Sequence, residues 1–305
     1  MGMAEILRFF IDVLNATLPG MTTMLKERQQ IRAAEAPRPI AVRTFGLRHG
    51  PITRLASPSG IGEAIKPFVF LDRAEVRYTG KPLFGIHPHS GIATLTVVLD
   101  GAMRYEDTTG KQGSVTAGGL EWMKAGSGVW HDGGPLPGDP LRLFQLWIAL
   151  DADQELASAE SHYIAAENVQ QEGPVRVVLG EYGGARSVIP GAPRINYFHV
   201  RLKAGERWHY APPAHHKVAW LAVDKGALRA PEAIGTGELV VFEQSNATIE
   251  LQAEADTSFV FGSAPKHPHP LVLGYYSVHT SAQALERGEA GIARIGEELR
   301  KQGRL

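Results

Sequence analysis

Cysteine is absent from the 305 residues. Disulfides, thiolate metal sites and cysteine nucleophiles are therefore excluded, and any metal must be held by histidine or carboxylate side chains. The chain also lacks an excess of either charge sign, with 31 Lys and Arg against 32 Asp and Glu. Without a positive field to collect phosphate backbones or anionic membranes, direct nucleic-acid binding is not expected. No run approaches the roughly eighteen apolar residues that a spanning helix needs. The stretch from Met1 to Leu18 is interrupted by Glu5, Arg8 and Asp12, with no basic start followed by an unbroken apolar core. A signal peptide is not expected, and the cytoplasm is the expected compartment.

The composition that remains, 44% hydrophobic and 21% charged, is that of a globular protein long enough for two cores. Ile6, Phe9, Phe10, Val13 and Leu14 share one helical face and Pro19-Gly20 stops the pattern, which predicts an amphipathic helix over 5–18. This helix belongs to an N-terminal extension, residues 1–36, whose polar face is not basic enough for membrane-surface binding.

A first domain is expected over 37–153, where short apolar runs alternate with turn residues. Thr94–Leu99 is rich in β-branched residues and ends at Asp100-Gly101, a hairpin signal; further turns fall at Thr109-Gly110, Ala117–Gly119 and Ala125–Gly128, and a strand at Leu143–Ile148. Residues 151–170 read as a polar, helix-compatible connector. A second domain of the same texture follows over 170–305, with strands at Val175–Leu179, Tyr197–Leu202, Val218–Val223, Leu239–Phe242 and Phe259–Phe261. Thr280 and Gln283 suggest a capping box for a closing helix with Leu285, Ile292, Ile295 and Leu299 on one face, weakened by Gly288 and Gly291. Close-spaced turns between short strands predict an all-β chain of two small antiparallel barrels.

Chemistry concentrates in Gly85-Ile86-His87-Pro88-His89-Ser90-Gly91. In extended chain, residues i and i+2 point to one side, so His87 and His89 can present both imidazoles to one point. His131 follows a Gly-rich turn and would sit on a neighbouring strand. Three neutral imidazoles suit Fe, Ni, Cu, Zn or Co better than Mg or Ca. His267-Pro268-His269-Pro270 repeats the letters but reads as a structural loop, and His209, His215 and His216 fall where the second domain could keep an equivalent site. Trp122, Trp130 and Trp147 could line a pocket for an aromatic ligand, although core packing is the commoner role of tryptophan.

From Phe84 to His131 the chain resembles the pirin family of the cupin superfamily. The resemblance is carried by His-Pro-His-x-Gly, Leu99-Asp100-Gly101, Tyr105-Glu106-Asp107-x-x-Gly110, Glu121-Trp122-Met123-x-Ala125-Gly126-x-Gly128 and then His131. It extends over roughly 40–300 and implies two antiparallel cupin-type barrels (a bicupin), with helices at both ends. It also implies one mononuclear metal, Fe(II) foremost, held by His87, His89, His131 and a glutamate two residues further on. That fourth position is Gly133 here, and a second acid usual in the family is Ala93. Glu121 stands where glutamine is common and could approach the site; Asp132, adjacent in a strand, would need a bulge to turn inward.

The activity implied is that of a metal-dependent dioxygenase of quercetinase type acting on a flavonol-like aromatic substrate, with Glu121 or Asp132 as candidate bases. The alternative is a metal- and redox-dependent regulator or scaffold acting through a protein partner, with the N-terminal helix as a docking element.

Overall fold

The computed structural model describes residues 37–80, 85–189 and 194–305; the helix expected at 5–18 lies outside them. Each half of the chain is a seven-stranded sheet facing a four-stranded one. In the first half the large sheet runs Glu160–Ile164, Leu120–Lys124, Ile92–Asp100, Leu141–Ala149, Phe68–Val76, Ile52–Ala56, Leu47–His49. The small sheet runs His87–His89, Val129–Pro135, Ala102–Asp107, Gln112–Thr116. The second half repeats the plan, with Val218–Lys225, Thr257–Ala264 and Asn196–Leu202 at the centre of its large sheet. The two facing sheets of each half are not hydrogen-bonded into a closed cylinder, but the cupin architecture holds.

The alternation of side chains along a strand explains why Ile92–Asp100 reads as an almost unbroken apolar run. Leu95, Val97 and Leu99 point out of the first barrel into a core shared with Val178, Tyr197, Trp220 and Val260 of the second. Val98, on the opposite face, packs inside the first barrel with Met103, Val115 and Leu143. The two large sheets thus pack back to back, and each strand at the junction is buried on both sides. The ion pairs at this junction centre on Asp224, which lies 3.3 Å from Arg73 and 3.2 Å from Arg142.

The chain ends cross between the halves. Ile40–Thr44, near the start of the described residues, pairs with Leu239–Phe242 of the second barrel. The C-terminal segment packs on the first barrel instead: a hairpin of Val272–Gly274 and Ser277–His279, then a helix over Ala282–Lys301. Ser277 bridges to Ser90. The helix closes on the strand carrying His131, where the Trp130 indole N–H donates to the Ile292 carbonyl at 3.0 Å.

Three local expectations are corrected. Asp100-Gly101 is a turn, with Gly101 at φ +72°, but not a hairpin: the strands on either side lie in different sheets, and the chain turns a corner beneath residues 139–140, whose carbonyls would lie 2.9 Å from a Cβ at Gly101. The connector at 151–170 is not mainly helical. It contains the strand Glu160–Ile164, paired with Leu120–Lys124, and a single short helical turn over Ala166–Asn168. Tyr163 fixes that strand by donating to Asp107 at 2.7 Å and stacking on Tyr105. The closing helix is capped by Ser281, which accepts from the Ala284 N–H, while the Thr280 hydroxyl donates to Glu155.

Candidate metal centre

His87 and His89 lie on the three-residue strand His87–His89, paired antiparallel with Val129–Pro135 so that His131 stands opposite His87. Pro88 fits between them because this strand is the edge of its sheet. One nitrogen from each ring lies within 4.8 Å of the others, the one group of metal-ligating side chains found among the described residues. The Nδ1 atoms are occupied elsewhere: His87 Nδ1 lies 2.9 Å from the Gly85 carbonyl and His89 Nδ1 3.0 Å from the Tyr276 carbonyl. Both carbonyls accept only, so each Nδ1 carries the hydrogen and each Nε2 presents a lone pair.

Tyr276 reaches its position with φ +53°, a conformation uncommon for a bulky residue, which turns its carbonyl onto His89. His89 is therefore oriented by a residue of the C-terminal hairpin, far away in sequence. His131 Nε2 and His87 Nε2 face each other at 3.1 Å. Metal–imidazole bonds of roughly 2.0–2.1 Å set two nitrogens at right angles on one ion about 3 Å apart, so the donor set fits a divalent transition ion.

The electrostatics agree. Burial, reinforced by the neighbouring His131, lowers the His87 pKa to about 4. Burial, with His131 and His87 adding to it, holds His89 well below its ordinary value. Both rings are neutral at pH 7, the form a metal requires.

Of the two carboxylates singled out in the sequence, the structure brings one to the cluster. Glu121 Oε1 lies 3.5 Å from His131 Nδ1, and Oε2 accepts from the Thr96 hydroxyl at 2.7 Å. Thr96 also lies 2.7 Å from the Gln145 side chain. The Gln145 atom concerned is Oε1, so the Thr96 hydroxyl stands between two acceptors, the carboxylate and the amide oxygen, with one hydrogen to give. Asp132 is not brought in. Its strand runs without a bulge against Ala102–Asp107, and its Oδ2 accepts from Arg104 at 2.6 Å. Gly133 shares the face of His131 and supplies no donor.

Trp147 is the single tryptophan of the expected three that meets the centre, its ring 4.9 Å from His89 and stacked on Phe70 at 4.1 Å. Tyr276 flanks the other side, 5.5 Å from His87 and 5.8 Å from His89. Trp122 is buried in the core between the barrels, and Trp130 anchors the closing helix. His267 and His269 sit in a loop as expected, the former against the Leu150 carbonyl. His216 is engaged with Ser263.

Sequence reasoning missed a buried relay directly behind the centre. Ser90 Oγ is 2.9 Å from His279 Nε2, and His279 Nδ1 is 3.0 Å from Glu155, which also accepts from the Thr280 N–H and hydroxyl. Serine, histidine and carboxylate stand in the order of a hydrolase triad. Ser90 is fully buried, however, and a Cβ on Gly288 of the closing helix would lie 2.6 Å from its hydroxyl. No substrate reaches it, and the relay serves to pin the residue after His89. No spacing signal could have revealed it, since its three members come from three distant segments.

Comparison with known proteins agrees with the geometry. The Pirin family model matches residues 52–148. A pirin-like protein of Caulobacter vibrioides is 32% identical over 219 residues, covering 68% of this chain and 79% of that protein. A Pseudomonas aeruginosa protein provisionally named a quercetin 2,3-dioxygenase is 30% identical over 243 residues, covering 74% and 84%. Among solved structures, a quercetin 2,3-dioxygenase from Acinetobacter baumannii superposes with TM-score 0.77 at 22% identity, over 85% of this chain and 98% of that one. No helix among the described residues is long and apolar enough to cross a membrane.

Proposed function

The chain belongs to the pirin family, and we propose that it is a cytoplasmic, metal-dependent dioxygenase of the quercetinase type, with Fe(II) held by the Nε2 atoms of His87, His89 and His131. The observation that carries this reading is the convergence of three imidazoles, two of which, His87 and His89, have their tautomers set for ligation. When bound, the ion would supply Lewis acidity toward a chelating substrate and redox chemistry toward dioxygen.

The remaining work falls to the chain's own side chains. A flat substrate with adjacent hydroxyl and carbonyl oxygens would be received by the aromatic surfaces of Trp147, backed by Phe70, and Tyr276. The Arg54 guanidinium sits 4.2 Å from the centre of the Phe70 ring and is held bidentately by Asp72 at 2.9 and 3.0 Å, which stiffens that wall. Thr94, opposite Trp147 in the strand register, has a buried hydroxyl with no hydrogen-bond partner among the described residues. Neither candidate carboxylate takes the base's role: Asp132 is tied to Arg104, and Glu121 approaches His131 from its Nδ1 side.

Elemental mass spectrometry of the purified protein beside His89→Ala tests the site, and oxygen uptake with quercetin tests the reaction. Near-stoichiometric transition metal, lost in the variant, with quercetin-dependent uptake by the Fe(II)-loaded protein, is the expected result. Metal without uptake would remove the oxygenase reading, and absence of metal after reconstitution would remove both.

A further inference from the structure

We propose that Glu121 is the positioning and charge-carrying residue of this centre: acting through the His131 ring, it does the work of the carboxylate ligand that the chain lacks at Gly133. The proposal rests on the three-histidine reading above and extends it to a residue that does not touch the ion.

Three neutral imidazoles bring no charge to a dication, and a buried dication without counter-charge is poorly retained. A buried carboxylate close to the ligands would supply compensating charge from the protein itself. Glu121 is 2% exposed and, among the described residues, is paired with no lysine or arginine; its one ion-pair contact is His131. A carboxylate buried in that condition is costly on its own account. The same surplus of negative charge is what a metal at the three Nε2 atoms would neutralise. Charge lacking at the ligands and charge in excess behind them are thus found on either side of one imidazole.

The geometry suits the role. Glu121 lies directly opposite Thr96 in the sheet register, and the Thr96 hydroxyl reaches one carboxylate oxygen at 2.7 Å, with the Gln145 amide oxygen as its other acceptor. The other oxygen is left toward His131 Nδ1 at 3.5 Å, on the flank of the ring away from the Nε2 atoms of His131 and His87. A cation on Nε2 makes Nδ1–H a stronger donor, so metal binding would draw this contact into a hydrogen bond. In return the carboxylate makes the imidazole a better ligand and holds its tautomer. His87 and His89 lean on neutral carbonyls, and the contact with Glu121 gives His131 an anionic support.

The residue lost from the ligand set also provides the control. Gly133 lies two residues beyond His131 on the same strand face, and a Cβ there would meet the Arg104 carbonyl and the mobile end of Met103, both at 3.3 Å. A glutamate placed there would return charge to the ligand shell directly, with a small adjustment of Met103.

The test is a Co(II) titration of metal-free, full-length protein, read by the cobalt absorption bands with a competing chelator. It compares wild type, Glu121→Gln and Glu121→Gln with Gly133→Glu, beside urea unfolding of each metal-free form. Glutamine keeps an acceptor for Nδ1–H but carries no charge. Affinity should fall about 10- to 100-fold in Glu121→Gln, while the metal-free unfolding midpoint stays level or rises, because a buried carboxylate that faces no lysine or arginine among the described residues has been removed. The double variant should recover part of the affinity. Wild-type affinity in Glu121→Gln, or a loss matched by a fall in metal-free stability, would overturn the proposal. A wild type that takes up no Co(II) would overturn it together with the three-histidine reading. A wild type that binds metal but does not oxidise quercetin bears on the oxygenase reading alone, and the comparison of variants still decides the role of Glu121.

Discussion

Protonation of His199 should weaken the folded protein in mild acid by an amount the structure lets one calculate. The ring lies on the strand Asn196–Leu202, 2% exposed, with Nε2 3.0 Å from the Ser258 hydroxyl. Burial, with Arg201, Arg176 and Arg142 adding to it, lowers its pKa to about 3. The unfolded chain takes up the same proton near pH 6.5. Between those two values the unfolded state binds more protons than the folded one, so stability falls as pH drops below 6.5 and is fully present above it.

Linkage with these two values gives a loss of about 2 kcal/mol at pH 5 and almost none at pH 7.5. Urea unfolding of metal-free wild type and His199→Gln at both pH values isolates this term, because every other titrating group is common to the two proteins. Wild type should lose about 2 kcal/mol more than the variant on going to pH 5. Parallel losses, within about 0.5 kcal/mol, would refute the reasoning and mean that water or a shifted arginine already solvates the ring.

Two further outcomes follow from contacts at the centre. Gly288→Ala should destabilise the protein despite alanine's better helix propensity, because the new Cβ would meet His279 Nε2 at 2.3 Å and Ser90 Oγ at 2.6 Å; overpacking of about 1–3 kcal/mol exceeds the gain of about 1 kcal/mol, and thermal unfolding measures the difference. Adding a chelator to metal-loaded protein should lower the unfolding temperature, with a stabilisation of about 2.7 kcal/mol lost when free metal had stood at a hundred times its Kd; an unfolding temperature insensitive to metal would show that the ion does not bind the folded centre.

The strands and the ligands were legible because both depend on local rules. Val175–Leu179, Val218–Lys225 and Leu141–Ala149 are apolar runs bounded by turn residues, and the paired histidines need only the two-residue repeat of extended chain. What the sequence could not show was which strand answers which. Asp100-Gly101 has the letters of a hairpin and turns a corner between sheets, since pairing is decided by burial on both faces of Ile92–Asp100 and not by the turn. The strand Glu160–Ile164 was hidden in a polar segment because it pairs with Leu120–Lys124 and the side-chain partners of its Tyr163, Tyr105 and Asp107, lie nearly sixty residues upstream.

The same limit explains why the supports of the centre escaped notice while its ligands did not. His87, His89 and His131 come from one sheet of one barrel, but much of what orients His89 and encloses the centre comes from the far end of the chain: the Tyr276 carbonyl on His89, the Ser277 and His279 contacts to Ser90, and Gly288 and Gly296 of the closing helix. Gly288 and Gly296 stand in the helix despite their poor helix propensity, and a residue without Cβ lets the helix lie against His279 and Trp130, where a Cβ would sit at 2.3 and 2.9 Å. The metal barrel is therefore completed by residues 272–301, and a chain ending before them would keep all three ligands yet lose the carbonyl that fixes the His89 tautomer. Removing the last thirty or so residues should thus abolish metal retention as surely as His89→Ala, although no ligand is deleted.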